Sequence, residues 1–594
     1  MVSVTVISFQ VGTCYFPTLF LCESVLIFTI RLKTAVIHPV EDDNTYSATV
    51  SWRRRHGYRI DFWGKGNDLE SLPLNAARAY FRTGIQENGW SMMEIETSAE
   101  YPDDVQAYAA GLLEGSLTWH LVHYHWSNTI GVACASRPVL CRDLRKYLRE
   151  NAASVRKKAA TSRSEDPFWH MVHLYYVQLD GLAEGWRFAV DRSRQDAFIE
   201  PEDFLWLAMA SDVPDLERAI YGSDHHIATD GMIVLKSIFR PDMSAPLLAL
   251  AHNTAAPYAR MLRVIKRYKF VYHSSPSDSK SAQVPGQSIV MTSYPGALSS
   301  QDESYAISGK DLERQFVVAG TPIIIGNRTV WQHIQTKDLV MSPARIMAAN
   351  RLAVDGSTWS RLLDRQNSGT SNRQWIGLEP REGRVSLIEQ MPDGTLHTDV
   401  SEDFAARGYL ACTGALFSDK IKKQLGGKRD DAVFRSELLA LLQLNISDID
   451  QLRNLMRGDV LALQTKKSNA NSQRSNKTET TSRPGNNRTS VTSDAIGNNS
   501  NVLEDNAAQL LAYRGDLKAI AEGWVPRPTG VIDSKLFIYD PETAELSFDA
   551  RSGPASRPNV APFSWSRNFP NSSHLGQPDT FAFDSVAPNW VWIA

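Results

Sequence analysis

Apolar and polar residues alternate around Thr49-Val-Ser-Trp52 and again over Tyr58-Arg-Ile-Asp-Phe62, which predicts two half-buried strands early in the patterned part of the chain. The period then lengthens. From Asp104 to about Trp126, and from Pro167 to Ala189, apolar side chains recur at helical spacing; the second run carries Phe168, Met171, Val172, Tyr175, Leu179, Leu182 and Trp186. Two long helices are expected, each with an apolar face that needs a partner. Short β-rich or apolar runs follow at Ile233–Leu235, Leu247–Leu250, Phe316–Val318, Ile323–Ile325 and Arg384–Ile388, and these predict sheets. Leu438–Leu442, Leu452–Leu463 and Asn506–Ala521 read as helices. Between them, residues 466–501 are mostly Ser, Thr, Asn, Lys and Arg, too poor in large apolar side chains to offset the entropy of ordering. A disordered insertion that interrupts one domain without separating two is expected there. The order of elements favours an α+β fold in which helices cover antiparallel sheets.

Composition changes this picture little. A chain of 594 residues with 43% hydrophobic and 22% charged content is long enough for a large core or for two conventional domains. With 63 basic and 66 acidic side chains the formal charge is −3, so electrostatics points neither to nucleic acid nor to an anionic membrane as the main partner. Peripheral membrane contact stays open. Cys14 and Cys22 lie in a hydrophobic leader, residues 1–34, which reads as a signal peptide, an anchor through residues 15–30, or a misassigned start. That leaves Cys134, Cys141 and Cys412, too few for a disulfide framework. Cys134 and Cys141 are spaced for one small-loop bridge or remain two reduced buried thiols. Asn-x-Ser/Thr acceptors occur at Asn327, Asn445, Asn476, Asn487, Asn498 and Asn571.

The stretch Ala251-His252-Asn253-Thr254, with Tyr258, Met261-Leu262-Arg263, Lys266 and Tyr268 after it, resembles a signature of the phospholipase B-like family. Further matches run from about residue 104 to the C-terminus. They include Gly111-Leu-Leu-Glu-Gly115, Gln178-Leu-Asp-Gly181 with Gly185, Ser293-Tyr-Pro-Gly296, Asn367-Ser-Gly-Thr370 with Gln374-Trp375, Arg514-Gly-Asp-Leu517, and Gly530 with Asp533 and Lys535. The resemblance implies a four-layer αββα sandwich of the N-terminal-nucleophile hydrolase type with helical additions. It further implies an N-terminal fragment (35–230) and a C-terminal core fragment (231–594) that stay associated after self-cleavage. Members are typically secreted or lysosomal glycoproteins with a proposed activity on acyl ester or amide bonds of lipids, so lipid or an acylated small molecule is the implied ligand. No cofactor or metal is implied.

In that family the nucleophile is a cysteine freed by cleavage, whose own α-amine serves as base. Here the segment reads Thr229-Asp230-Gly231-Met232-Ile233-Val234-Leu235-Lys236, and anchoring on the lysine puts Gly231 at the nucleophile position. Glycine has no atom to attack with, and the thioether of Met232 cannot be deprotonated. Thr229, two residues upstream on the same strand face, is the best substitute, with Ser237 behind it. His252 matches a family histidine near the nucleophile, able to orient or protonate a reacting group, or is a buried histidine holding the following turn. Asn367 is either an oxyanion donor or part of an Asn-Ser-Gly turn. Ala255 stands where the family usually has tryptophan. In Val317-Val-Ala-Gly-Thr-Pro-Ile323, Gly320 replaces an acid and Ile323 an amide. His120, His123 and His125 do not share one helix face and lack a carboxylate, so no metal is assigned to them. The basic run Arg142 to Lys158 reads as a solvated helix face. Two functions from different classes remain: a phospholipase B-like hydrolase with a degenerate site, and an inactive pseudoenzyme that binds lipid or a protein partner. An error in the coding sequence around 222–245 is the third explanation for the missing cysteine.

Overall fold

A computed structural model describes residues 44–592, apart from 66, 222–229, 242, 277–280, 311–313, 324, 326, 328, 330–333, 335–338, 426–429, 461–505 and 518–524. The leader, the polar insertion, Thr229, Asn476, Asn487 and Asn498 lie outside the described residues. The fold is α+β with two main sheets. The larger has eleven strands and contains, in chain order, β1 (Thr45–Arg53), β2 (Gly57–Lys65), β3 (Ala77–Arg82), β4 (Ser91–Thr97), β7 (Val264–Lys269), β8 (Ser288–Ser293), β9 (Ser304–Ser308), β10 (Gln315–Pro322), β11 (Arg373–Glu379), β12 (Arg384–Met391) and β13 (Gly394–Asp399). The smaller holds β5 (Asp230–Ile238), β6 (Leu247–Pro257), β14 (Tyr409–Cys412), β15 (Thr529–Asp540) and β16 (Glu545–Ser552) in the order β14-β5-β6-β15-β16. The strands are antiparallel except where β4 pairs with β7 in parallel, so the larger sheet is mixed. That parallel pair joins strands before residue 100 to strands after residue 260 in one continuous sheet.

The period-two pattern sorts side chains between cores. Phe316, Val318, Trp375 and Ile388 of the larger sheet face one core together with helices α1 (Asp103–Trp126), α2 (Pro138–Ser162) and α3 (Pro167–Ser193). Their strand neighbours Val317, Ala319, Ile376, Leu378, Val385 and Leu387 turn the other way and meet Ile233, Leu235, Leu250 and Phe537 of the smaller sheet. On the far side of the smaller sheet, Met232, Val234, Ala251 and Leu536 pack with Leu439 of α8 (Asp430–Leu442) and with Leu452, Leu455 and Met456 of α9 (Ile449–Met456). Helices α4 (Pro201–Ala208), α5 (Val213–Tyr221), α6 (Ser342–Leu352) and α7 (Gly356–Asp364) complete the part of the chain that matters here.

Both long helices expected from the apolar periodicity are present, and the motif glycines explain how closely they pack. A Cβ on Gly111 or Gly115 would come within 2.0 Å of the Gln178 or Leu182 carbonyl oxygen, and one on Gly181 or Gly185 within 2.3 Å of Tyr108 or Leu112. The two backbones therefore touch, and any side chain at these positions would push α1 from α3.

Three expectations need correction. Ile323 and Ile325 are not in a strand: β10 ends at Pro322, which has no N–H for a ladder, and the isoleucines instead pack with Ile421. The helix expected over 452–463 ends at Met456, just before Gly458 turns the chain with a φ of 69°. The helix expected over 506–521 stops after 511, and Arg514 then bridges Gly530. Its guanidinium is held by nearby Asp516 and by the distant Ala555 carbonyl, and the latter contact and the Gly530 bridge draw the chain out of helical geometry.

Candidate active site

The site is built on three adjacent strands. Gly231 of β5 lies opposite Thr254 of β6, which lies opposite Asp533 of β15; one step along, Ile233, His252 and Lys535 form the neighbouring row. Both rows share the face on which Ile233 packs toward the larger sheet.

The Gly231 row is closed. A Cβ at 231 would sit 2.4 Å from the Asn253 carbonyl oxygen, a backbone atom that cannot swing aside. Asn253 itself is pinned: it accepts from the Met232 N–H at 3.0 Å and donates through Nδ2 to the Met456 and Leu511 carbonyls, each at 3.0 Å. The Gly231 carbonyl accepts from Thr321 Oγ1 at 2.9 Å and from Arg435 Nη1 at 3.1 Å. Arg435, from α8, also forks onto both carboxylate oxygens of Asp230 at 3.1 and 2.8 Å. Glycine is required at 231 by space, and the peptide around it is tied on every side.

The Lys535 row is crowded with charge. Lys535 Nζ donates to Thr254 Oγ1 at 2.7 Å and pairs with Asp533 at 2.9 Å and Asp302 at 3.5 Å. Arg263 pairs with Asp302 and, at 2.6 Å, with Asp533. Tyr294 and Thr292 donate to Asp302 at 2.5 and 3.3 Å, and the Thr254 N–H donates to Asp533 at 3.2 Å. These charged side chains have no exposed surface. Burial works against the charge of Asp302, yet Arg263 and then Lys535 hold its carboxyl below the ordinary carboxylate range. His252 goes the other way: burial pushes its imidazole well below the ordinary range and the Lys535 charge adds to the shift, with Asp302 opposing. It is neutral at physiological pH, and its Nδ1 meets no partner among the described residues.

Asp302 is delivered by a strained turn. Gln301 and Glu303 on either side have φ of 58° and 63°, left-handed conformations that cost a non-glycine residue on the order of 1 kcal/mol or more. Gln301 is anchored on the Leu207 carbonyl and Glu303 accepts from Tyr305, so the surrounding fold imposes the geometry. Arg263, Asp533 and Lys535 are motif residues to which the sequence attaches no role, and Asp302 carries no motif signal. Asp533-x-Lys535 inside an otherwise apolar strand was the available signal, because charges on a buried face must meet partners.

The remaining candidates fall elsewhere. Asn367 donates through Nδ2 to the Met391 carbonyl at 2.7 Å and accepts from the Gly369 N–H at 3.0 Å, which closes an Asx turn. Ala255 packs with Ala512, Val531 and Ala555. A Cβ at Gly320 would lie 2.5 Å from the Trp375 ring, so the indole fills the space an acid would need. His120 and His123 sit among aromatic rings, and His125 stacks on Tyr294 with its imidazole pushed down to about 3 by burial, with Arg260, Arg263 and Lys266 adding to it. Cys134 and Cys141 are joined in a disulfide, and Cys412 is free and buried. The basic run lies on α2, where Arg145, Arg149 and Arg156 pair with Asp203, Glu202 and Asp180. Asn571 is exposed, and Asn327 and Asn445 are half-buried. Among the described residues no helix is long and apolar enough to cross a membrane.

A family model described as Phospholipase B matches residues 77–588. The phospholipase B-like lamina ancestor of Drosophila melanogaster is 30% identical, with 93% of this chain and 94% of the relative covered. Phospholipase B-like 2 of Homo sapiens is 29% identical over 87% of this chain and 86% of its own length. Phospholipase B-like protein B of Dictyostelium discoideum is 28% identical over 57% of this chain and 59% of its own.

Proposed function

The chain belongs to the phospholipase B family, and from that premise we propose that it keeps the binding fold of a lipid acyl ester or amide hydrolase without the nucleophile step, as a pseudoenzyme that holds lipid or a protein partner. One observation carries this reading: the nucleophile position is a glycine whose side-chain space is occupied by the Asn253 carbonyl. The family reaction needs an atom there that can form an acyl intermediate. The succession of helical core, sheet, sheet and helical core supports the αββα sandwich of an N-terminal-nucleophile hydrolase. The pairing of β4 with β7 would hold residues 35–230 to 231–594 after a cut near 230. With Asp230 and Gly231 tied by Arg435, the chain is expected to stay whole. A lipid-handling relative of this family fits a secreted or lysosomal protein.

A second reading is favoured by a different observation. Neutral, buried His252 beside Lys535 is the kind of group that assists proton transfer, and it suits a hydrolase with a substitute nucleophile such as Thr229. One experiment separates the two. The purified protein is resolved on a denaturing gel and treated with thiol- and hydroxyl-directed acylating probes. A single chain with no label is expected; two fragments split near 230 together with turnover of an acyl ester would sink the pseudoenzyme reading.

A further inference from the structure

The formal charge of −3 hides one place where cations stand alone. β1 and β2 are joined by Arg54, Arg55 and His56, and Arg53 closes the first strand opposite Gly57. The His56 N–H donates to the Arg53 carbonyl at 2.9 Å, and Gly57 takes the left-handed φ of 74° that lets so short a loop return along β1. Three guanidiniums thus belong to one tight turn, all on exposed residues. Among the described residues none of the three meets an acceptor or a carboxylate. Asp61 in β2 is taken by Arg59 at 2.8 Å. Trp52 packs edge-on against Tyr101, just before α1, and the two acids that open that helix are also engaged: Asp103 by His170 and His273, Asp104 by Arg163 and His173. Like charges on adjacent residues repel one another, and an anion from outside relieves that repulsion.

The shape of the tip narrows what the anion can be. β2 is the last strand of the larger sheet, and four successive exposed residues at the end of a strand pair make a convex tip that encloses no small ligand. The cationic zone does not run on as a track either. Asp61 ends it, and beyond that Trp63 packs with Leu69, Leu72, Tyr80 and Trp592.

We propose that the tip formed by Arg53, Arg54 and Arg55 docks the protein on a lipid surface of anionic head groups, each arginine contacting the oxygens of a different lipid. A plane of anions meets a convex tip from every side, whereas a linear polyanion needs a row of cations. Guanidinium suits the contact because its planar fork matches phosphate and carboxylate oxygens. Each arginine near such a surface strengthens partitioning roughly fivefold, and three together about a hundredfold. The occupant follows from the charge and shape of the tip and does not rest on the reading of residue 231.

The full chain is floated with vesicles of phosphatidylcholine alone or mixed with phosphatidylserine, and in parallel passed over immobilised heparin. Flotation with the phosphatidylserine vesicles only is expected, weakening steeply as ionic strength rises from about 0.01 to 0.15 M and the Debye length shortens from about 30 to 8 Å. The triple variant Arg53→Gln, Arg54→Gln, Arg55→Gln should lose about a hundredfold in partitioning with an unchanged melting temperature, because these side chains hold nothing in the fold. The matching triple lysine variant, which keeps the charge, should still float. No flotation, equal flotation by the glutamine variant, or retention on heparin without flotation overturns the lipid surface, whether or not the chain is cleaved near 230.

Discussion

Two neighbouring rows on one strand face have opposite character. In the Gly231 row a carbonyl oxygen fills the space where a side chain at 231 would project. In the adjacent row, His252 and Lys535 sit in a network of buried charges whose partners come from β7, β8 and β15 and the segments that flank them. The contrast is between space closed by backbone and charges that hold one another in place. Losing one member of the network leaves the others only partly compensated.

The largest effect is expected from Asp302→Ala. It leaves Arg263 and Lys535 buried with Asp533 alone, so urea unfolding should show a loss of about 3–5 kcal/mol. A loss below 1 kcal/mol would mean that water already compensates the charges. Next in size is Gly231→Cys. A side chain at 231 forces Asn253 and β6 to shift, a cost of about 1–3 kcal/mol, and the variant should remain one unlabelled chain. Gly231→Ala should lose a similar amount; a cleaved, acyl-labelled Cys variant would instead show that the position is open.

A pH series sharpens the contrast further. Asp302, held low, contributes stability that is complete above the ordinary carboxylate range and is lost only in strong acid. Buried Asp215, at the start of α5, behaves oppositely: burial raises it from 3.8 to about 6, with Arg218 and the Ser371 and Asn372 backbone opposing and Asp212 adding to the rise. A raised acid binds more protons when folded, so stability should fall as pH climbs through this window. Asp215→Asn should flatten the slope between pH 4 and 7 in thermal melts. The smallest effect belongs to the solvated face of α2. Arg149→Ala breaks an exposed pair with Glu202 and should change stability by less than about 1 kcal/mol.

Much of the fold was legible because one side of each element is buried. The alternation around Thr49 and Tyr58 and the long helical periodicities correspond to β1, β2, α1 and α3. The glycine pairs of α1 and α3 were visible as motif residues, although their reciprocal contact was not. Ile323–Ile325 misled because an apolar run marks burial without saying which element buries it. The site was half legible. Gly231 and His252 stood out by position, whereas Asp302 gave no local signal of its role.

The sequence alone decided that no side-chain nucleophile exists at residue 231 and which faces of the strands and helices are apolar, because both are properties of single residues and short periods. Only the tertiary structure decided that the space at 231 is closed, that Arg435 ties Asp230, and that Lys535 meets Asp302 across 233 residues of chain. Contacts between such distant segments arise from the closure of two sheets on one another, and no local pattern of residues encodes which buried charge will find which partner.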